Sequence, residues 1–159
     1  MAEKRTVLFL CTGNSCRSQM AEALLRHIGG DGFLVLSAGS HPAGFIHPLA
    51  IQALGALDVP MEGQASKGWD EFTQTPLDVV ITLCDAAAAE TCPVWRGSPI
   101  TTHWSLPDPS YYLGTGEERV AFAVRVAERL RTKIQGLIDL DWSMTPDDVK
   151  RRLEFLGEI

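Results

Sequence analysis

The segment CTGNSCR at residues 11–17 places a thiol at one end and a guanidinium at the other, with five mostly small and polar residues between them. A loop this short can curl so that successive backbone N–H groups point inward and form an anion-binding nest. The planar guanidinium of Arg17 suits a tetrahedral oxyanion, and the positive field favours the nucleophilic thiolate form of Cys11. The spacing therefore predicts a site where a sulfur nucleophile meets a phosphate-like oxyanion. The predicted oxyanion-binding residues are Thr12, Gly13, Asn14, Ser15, Cys16 and Arg17.

The neighbouring segments predict a strand before this loop and a helix after it. Residues 5–10 form a short apolar run, and residues 18–27 carry apolar side chains at helical spacing. The positive end of that helix dipole would add to the field at the loop. A buried, unreactive Cys11 beside a surface arginine is the alternative interpretation. It does not explain why a strand, a short polar loop and a helix follow one another in the order that an oxyanion site requires.

The rest of the chain alternates strands with helices, which is typical of a parallel sheet with helices on both faces. The predicted strands cover residues 33–36, 77–83 and 100–104, and the predicted helices cover residues 48–57, 117–137 and 145–156. Ligands of such sheets bind beyond the carboxyl ends of the strands. We therefore expect Cys11, Cys84 and the turn at Asp108 at one edge of the sheet.

Length and composition indicate one globular domain over residues 1–159, with a C-terminal helical extension from about residue 141. The formal net charge of −6 argues against general nucleic-acid binding. No stretch of the sequence is long and apolar enough to cross a membrane. We expect a cytoplasmic protein, in which the four cysteines are considered first as catalytic, redox-active or metal-binding residues.

Cys84 and Cys92 flank a segment that begins where the third predicted strand ends. Four alanines and the following Pro93 predict a short helix there. Helical residues eight positions apart lie roughly 12 Å apart, whereas a disulfide needs Cα atoms within about 7 Å. We predict a helical reduced form and a looped oxidised form. The alternatives are two unreactive thiols and a zinc site that also uses His41 or His103, although the usual paired zinc spacing is absent.

Asp108 is the candidate general acid. It lies between Pro107 and Pro109, and the two prolines stiffen a turn that can hold its carboxyl group at the edge of the sheet. A carboxyl group beside an oxyanion site can protonate a leaving oxygen. Ordinary turn chemistry is an equally good explanation of this aspartate, and Asp85 is a weaker candidate for the same role.

The segment CTGNSCRS at residues 11–18 resembles the active-site loop shared by low-molecular-weight tyrosine phosphatases and thioredoxin-coupled arsenate reductases. The similarity includes residues 37–39, 82–85 and 108–109, and only the tail beyond about residue 141 falls outside the pattern. The resemblance implies a four-stranded parallel sheet in the order 2-1-3-4.

Two features favour the reductase branch of this resemblance. The phosphatases usually carry proline after the Arg-Ser pair, whereas this chain has Gln19. The reductases carry two further redox cysteines after the third strand, which Cys84 and Cys92 match, with a gap one residue longer than in some members. Asp108-Pro109 followed by Tyr111 and its neighbouring tyrosine is more phosphatase-like, with a serine interrupting the pattern.

The resemblance to the reductases implies a relay of three thiols. Cys11 attacks bound arsenate to give a thiol–arsenate adduct, while Asp108 protonates the departing oxygen. Cys84 then attacks Cys11, arsenite leaves, and Cys92 attacks Cys84. The resulting disulfide is reduced by thioredoxin or a glutaredoxin-type donor, so the electrons come from an external dithiol and no bound cofactor is implied. In the reductases Ser18 is expected to steady the Cys11 thiolate.

The resemblance also implies a role for residues behind the loop. Some reductases bind a potassium ion there, although none is required for the thiol chemistry. The corresponding residues of this chain are Asn14, Glu22, Ser37 and Asp70. Cys16 has two interpretations, a small buried side chain or a protective disulfide with Cys11.

Two other functions are carried forward as alternatives. One is a low-molecular-weight protein tyrosine phosphatase that hydrolyses phosphomonoesters through Cys11. The other is a non-catalytic module that senses an oxyanion or a redox change. The expected small-molecule partner is arsenate or a phosphate-like oxyanion in each case, with neither nucleic acid nor membrane as a partner.

Overall fold

The computed structural model describes residues 4–84 and 93–159. Its four strands form one parallel sheet in the order β2-β1-β3-β4, which confirms the order implied by the resemblance. The strands are β1 (Arg5–Cys11), β2 (Phe33–Gly39), β3 (Val79–Thr82) and β4 (Ile100–His103).

The central strand β1 is buried on both faces and pairs with β2 on one side and β3 on the other. Val7, for example, lies opposite Val35 and Val79, and residues 7–10 are all fully buried. A strand covered on both faces reads as a continuous apolar run, which explains why the sequence shows no alternation here. The cysteine that ends β1 therefore starts from a rigid position.

Strand β2 continues three residues beyond its predicted end at residue 36, so that predicted end is wrong. Ser37, Ala38 and Gly39 pair with the last three residues of β1. Small residues favour turns locally. Here the backbone N–H and C=O groups of β1 pair with these residues and hold them in an extended strand. The consequence is that Ser37 and Gly39 lie directly beside the loop that follows β1.

The helices begin and end within two residues of the positions predicted from hydrophobic spacing. His47 accepts a hydrogen bond from the amide of Leu49 at the start of the helix Pro48–Ala56, and Thr115 and Glu118 form a capping box at the start of the helix Gly116–Ile138. No helix within residues 4–84 and 93–159 is long and apolar enough to span a bilayer. The helices are α1 (Arg17–Gly29), α2 (Pro48–Ala56), α3 (Gly116–Ile138) and α4 (Pro146–Glu158).

Two apolar clusters cover the two faces of the sheet. The larger cluster contains Val7 and Phe9 of β1 together with side chains from all four α-helices. The smaller cluster contains Leu8 and Leu10, against which Trp95 and the 3₁₀ helix Trp69–Phe72 pack. Neighbouring residues of β1 thus point to opposite faces, and both faces are covered.

The C-terminal extension packs onto the same core through α4. Val149 and Leu153 of this helix belong to the larger cluster, and the indole of Trp104 donates to the carbonyl of Leu153 at 2.8 Å. The buried ammonium of Lys133 donates to the last carbonyls of α4, at 2.9 Å for Leu156. Burial, assisted by the nearby charge of Arg129, lowers the pKa of Lys133.

Candidate active site

The loop between β1 and α1 lines a cavity of about 430 Å³. Cys11 is the last residue of β1 and Arg17 is the first residue of α1, so both are held by regular structure. Asn14, at the middle of the loop, has a positive φ of 46°, a conformation that asparagine tolerates better than most residues. The sequence-predicted residues that line the cavity are Cys11, Thr12, Gly13, Ser15, Cys16, Arg17, Cys84 and Asp108.

The carbonyl groups of the loop are held from outside by the chain that follows β2. Since the described peptide bonds are all trans, a carbonyl that points outward turns the N–H group of the same peptide unit the other way. The loop amides are thus directed toward the cavity, as an anion nest requires. The hydrogen bonds run from the amides of His41, Ala43 and His47 to the carbonyls of Thr12, Gly13 and Ser15, at 2.9, 2.9 and 2.8 Å.

Gly39 allows β2 to approach this loop closely. A Cβ atom at Gly39 would lie 2.4 Å from the carbonyl oxygen of Thr12 and 2.8 Å from that of Cys11. Both oxygens belong to the backbone, which cannot give way as a side chain can. Any larger residue at position 39 would therefore push the loop away from β2.

The thiol of Cys11 lies against the hydroxyl of Ser18, with Sγ and Oγ 2.8 Å apart. Ser18 is fully buried and also accepts a hydrogen bond of 2.8 Å from Nδ2 of Asn14. When Cys11 is ionised, the Ser18 hydroxyl must be the donor, because a thiolate can only accept. This contact is the geometry that the role predicted for Ser18 requires, and the role itself stays a prediction.

Cys84 lies beside Cys11 at the edge of the cavity. The amide of Leu83 donates to the carbonyl of Leu10 at 2.8 Å, so the pairing of β3 with β1 continues to the residue before Cys84. The two residues form one buried cluster, and Cys84 Sγ is 3.4 Å from Thr12 Oγ1. The predicted second thiol is thus within reach of the first.

Cys92 and Asp85 lie outside the described residues, and so does most of the helix predicted over residues 84–93. The last thiol of the predicted relay and the weaker acid candidate therefore stay predictions.

Asp108 faces the loop from across the cavity and forms an ion pair with Arg17. Nη2 of Arg17 lies 3.2 Å from Oδ2 of Asp108, and Nη1 donates to the carbonyl of Leu106 at 2.9 Å. The other carboxylate oxygen accepts from the amide and the hydroxyl of Ser110, at 2.9 and 2.7 Å. The prolines and this cap hold the carboxyl group at the cavity beside Arg17.

Cys16, the second thiol of the loop, is a poor nucleophile. Burial is the main reason that its pKa rises to about 12, and the negative charges of Asp108 and Cys11 add to the rise, while Arg17 opposes it. The thiol therefore stays neutral at physiological pH. Of its two interpretations, this favours the small buried side chain.

A layer of polar side chains supports Asn14 from behind. The resemblance indicated Ser37 and Glu22 there as potassium candidates, but it did not indicate that Gln19 and Lys67 complete the layer. Oδ1 of Asn14 accepts from Nε2 of Gln19 at 3.0 Å and from the amide of Lys67 at 2.9 Å, and Nδ2 donates to Ser37 at 3.0 Å. The Ser37 hydroxyl in turn donates to Glu22. The sequence marks Gln19 only as a departure from the proline of the phosphatases, and it does not mark Lys67.

The described residues contain no group of three histidine, cysteine, aspartate or glutamate side chains arranged to hold a metal ion. The two histidines considered for zinc have contacts elsewhere, since His103 bonds to Thr82 at 2.8 Å and His41 to Ser40 at 3.1 Å. Of the four potassium candidates, Asn14, Glu22 and Ser37 come together behind the loop, whereas Asp70 is exposed in a 3₁₀ helix.

Comparison with known proteins places this geometry in a family. The model for the low molecular weight phosphotyrosine protein phosphatase family matches residues 6–151. The chain belongs to this family. The family match continues into α4, ten residues beyond the point where the resemblance was expected to end. The arsenate reductase of Bacillus subtilis strain 168 is 37% identical over 133 residues, which are 84% of this chain and 94% of that protein.

Solved structures within the same fold give a consistent picture. An arsenate reductase in the phosphate binding state superposes with a TM-score of 0.70 and 30% identity, covering 84% of this chain and 96% of the other. The thioredoxin-dependent arsenate reductase of Corynebacterium glutamicum has a TM-score of 0.57 and 31% identity, covering 83% of this chain and 62% of the other. The structure described as phosphate-bound shows that a relative of this fold takes up a tetrahedral oxyanion.

Proposed function

We propose that the protein is an arsenate reductase that uses Cys11, Cys84 and Cys92 in sequence, with electrons from a thioredoxin-type dithiol. The observation that carries this proposal is the buried contact between Cys11 and Cys84 at the oxyanion cavity. A phosphatase needs one nucleophilic thiol, whereas reduction of arsenate needs a second thiol close enough to form a disulfide with the first.

The first step joins Cys11 to arsenic. The thiolate attacks arsenate held by the loop amides and Arg17, an As–S bond forms, and an arsenic–oxygen bond breaks. Asp108 supplies a proton to the departing hydroxyl group of arsenate, which leaves as water. Arsenic is still in its pentavalent state in this adduct.

The second step transfers the electrons. The thiolate of Cys84 attacks Sγ of Cys11, an S–S bond forms, and the As–S bond breaks with its electron pair left on arsenic. Arsenic is thereby reduced to the trivalent state and leaves as arsenite, while the two thiols are oxidised to a disulfide. Cys92 then attacks Cys84, which frees Cys11, and an external dithiol reduces the Cys84–Cys92 disulfide.

The names of the relatives support the same conclusion. The similar protein of Bacillus subtilis is named arsenate reductase, and the similar structure from Corynebacterium glutamicum is described as thioredoxin-dependent. We therefore infer thioredoxin as the donor, with a glutaredoxin-type protein as the alternative that a parallel assay distinguishes.

The test is arsenate-dependent oxidation of NADPH in the presence of thioredoxin and thioredoxin reductase. We expect turnover by the wild type and none by Cys11→Ser or Cys84→Ser. Without any donor, Cys92→Ser should release about one arsenite per protein and stop with Cys11 and Cys84 joined, which mass spectrometry of the trapped disulfide would show. Phosphate binding by Cys84→Ser and Cys92→Ser, measured by calorimetry, checks that the cavity is intact.

Two results would contradict this function. One is a wild type that turns over no arsenate with either donor while hydrolysing aryl phosphates rapidly. The other is a Cys92→Ser variant that turns over normally with thioredoxin, which would remove the third thiol from the relay.

One observation keeps phosphomonoester hydrolysis as a second candidate. The Tyr111 side chain is 82% exposed and lines the mouth of the cavity beside Asp108, where an aromatic ring of a substrate could stack. If the protein is a phosphatase, Cys84→Ser should hydrolyse aryl phosphates as fast as the wild type, because the second thiol then has no role.

A further inference from the structure

The polar layer behind the Cys11 loop contains one carboxylate that is nearly inaccessible to water. Glu22 is only 4% exposed, and its Oε1 accepts a hydrogen bond from the hydroxyl group of Ser37. A buried carboxylate is costly unless a positive charge and hydrogen bonds compensate for it. The groups that compensate for Glu22 therefore decide how firmly this layer is held.

Two cations of the protein itself neutralise Glu22, one on each oxygen. Arg26 pairs with Oε2 from the solvent side, where its side chain is 48% exposed. Lys67 approaches Oε1 from inside, with Nζ 3.7 Å from that oxygen and a side chain that is 19% exposed. The Lys67 ammonium also donates to the carbonyl of Ala65 at 2.8 Å and to Ser37 Oγ at 3.5 Å.

The potassium ligands implied by the family resemblance do not fit a metal ion in this chain. Oδ1 of Asn14 already accepts two N–H groups, and Ser37 Oγ already lies between Asn14 and Glu22. The carboxylate of Asp70 makes no hydrogen bond or ion pair with these groups within the described residues. A metal ion beside Lys67 and Arg26 would leave a single buried carboxylate to balance three positive charges.

We propose that the Lys67 ammonium is the built-in cation of this layer and takes the place of a monovalent metal ion. Its position links it to the nucleophile through a short chain of side chains. The ammonium donates to Ser37, Asn14 donates to both Ser37 and Ser18, and Ser18 lies against Cys11. Lys67 is therefore a positioning residue, since it fixes the loop without touching the oxyanion.

The backbone amide of Lys67 makes a hydrogen bond of its own, which substitutions of the side chain leave in place. Its amide donates to Oδ1 of Asn14, and any substitution except proline keeps that bond. The effect of replacing the side chain therefore does not include the loss of this backbone bond, and Lys67→Met separates the ammonium group from the aliphatic part of the side chain. The proposal rests on the oxyanion-binding loop of the proposed function, but binding and thiol reactivity are measurable without arsenate reduction.

The experiment compares wild type, Lys67→Ala, Lys67→Met and the exposed control Lys150→Met. Phosphate affinity by calorimetry and the alkylation rate of Cys11 by peptide mass spectrometry are measured in potassium chloride and in tetramethylammonium chloride of equal ionic strength. Lys67→Ala leaves room for a small cation, whereas Lys67→Met fills the space without a charge. A thermal unfolding curve for each variant confirms that it folds.

We expect wild type and Lys150→Met to behave alike in both salts. In tetramethylammonium chloride, Lys67→Ala and Lys67→Met should bind phosphate about tenfold more weakly, equivalent to about 1.4 kcal/mol. Potassium should restore several-fold of this loss in Lys67→Ala and none of it in Lys67→Met. The alkylation rate of Cys11 should follow the same pattern.

Three outcomes would overturn the proposal. A wild type whose phosphate affinity rises with potassium would show that the metal site is open despite Lys67. A Lys67→Ala variant with the phosphate affinity of the wild type in tetramethylammonium chloride would show that the ammonium group does not stabilise the oxyanion-binding loop. An equal loss in both salts would make Lys67 a merely structural side chain. None of these outcomes depends on whether arsenate is reduced, so each is distinguishable from failure of the proposed function.

Discussion

The two sides of the oxyanion cavity are built in different ways. On the loop side, Asn14, Ser18 and Gln19 are fully buried and hydrogen-bonded to one another or to the backbone around them. On the acid side, Asp108 lies in a short turn after β4, and among the described residues only Arg17 holds one of its carboxylate oxygens.

This difference indicates which side moves when an oxyanion binds. The loop amides are already aimed at the cavity, so binding costs them little reorganisation. Arg17, by contrast, is paired with Asp108 and must turn toward the anion, which releases Oδ2 of Asp108. Once Asp108 is no longer paired with Arg17, its carboxylate can take up the proton that a general acid must then donate. We therefore expect a loop that stays rigid and an aspartate that changes partner when an oxyanion binds.

The largest effect is expected from Asp108→Asn, which breaks the acid side alone. Asparagine keeps the oxygen that accepts from Ser110, so the turn and the unfolding temperature should be unchanged. Turnover of arsenate should fall about 100-fold, within the range for loss of a general acid. Phosphate should bind several-fold more tightly, because Arg17 is released and a negative charge that repels the anion is removed.

The matched control is Asp31→Asn, which makes the same change of charge at an exposed position far from the loop in sequence. It should alter neither turnover nor phosphate affinity. Weaker phosphate binding by Asp108→Asn would contradict the idea that Asp108 and the oxyanion compete for Arg17.

The second-largest effect is expected from Asn14→Gly, which changes the loop side of the cavity. Glycine adopts the positive φ of this position without strain, so the variant removes only the side chain and its bonds to Ser18, Gln19, Ser37 and the Lys67 amide. Leaving these buried groups unpaired should lower the free energy of unfolding by about 2 kcal/mol. Urea denaturation measures this change, and phosphate affinity should fall with it.

Asp58→Gly is the control for the backbone, because Asp58 has a similar φ of 58° but is exposed after α2. It should be neutral or slightly stabilising. An Asn14→Gly variant as stable as this control would mean that the buried hydrogen bonds do not hold the loop.

The sequence predicts the residues at the ends of the strands better than it predicts the residues that support the loop. Cys11, Cys84 and Asp108 follow strands of a parallel sheet, and the rule that ligands bind beyond the carboxyl ends of such strands predicts their shared edge. Local patterns also predict the helices to within two residues. The extra residues of β2 were missed because small residues look like a turn until the neighbouring strand is known.

The support of the loop was not predictable from the sequence, for a physical reason. Lys67 lies in an irregular connection and meets Glu22 and Ser37 only through the fold. A long charged side chain in such a segment is usually solvated, so its type and position carry no signal. Contacts between residues 30 to 45 positions apart depend on packing that no local pattern encodes.

The smallest effect separates the two thiols of the loop itself. Cys16 keeps its proton in the folded protein until about pH 12, whereas in the unfolded chain it ionises near its ordinary pKa of 9.0. Above pH 9 the unfolded state therefore binds fewer protons than the folded state, and the free energy of unfolding falls as pH rises. The contribution is fully present below pH 9 and is lost progressively toward pH 12.

Comparing wild type with Cys16→Ser isolates this contribution from the other titrating groups. Between pH 8 and pH 10 the wild type should lose about 1.4 kcal/mol relative to the variant, measured by urea denaturation with reductant present. Cys11 should be alkylated by iodoacetamide at pH 8 while Cys16 is not, until the protein unfolds. If the stability difference between wild type and Cys16→Ser were the same at both pH values, Cys16 would be ionised as readily in the fold as outside it. The loop would then contain a second nucleophilic thiol, and reactivity would no longer distinguish Cys16 from Cys11.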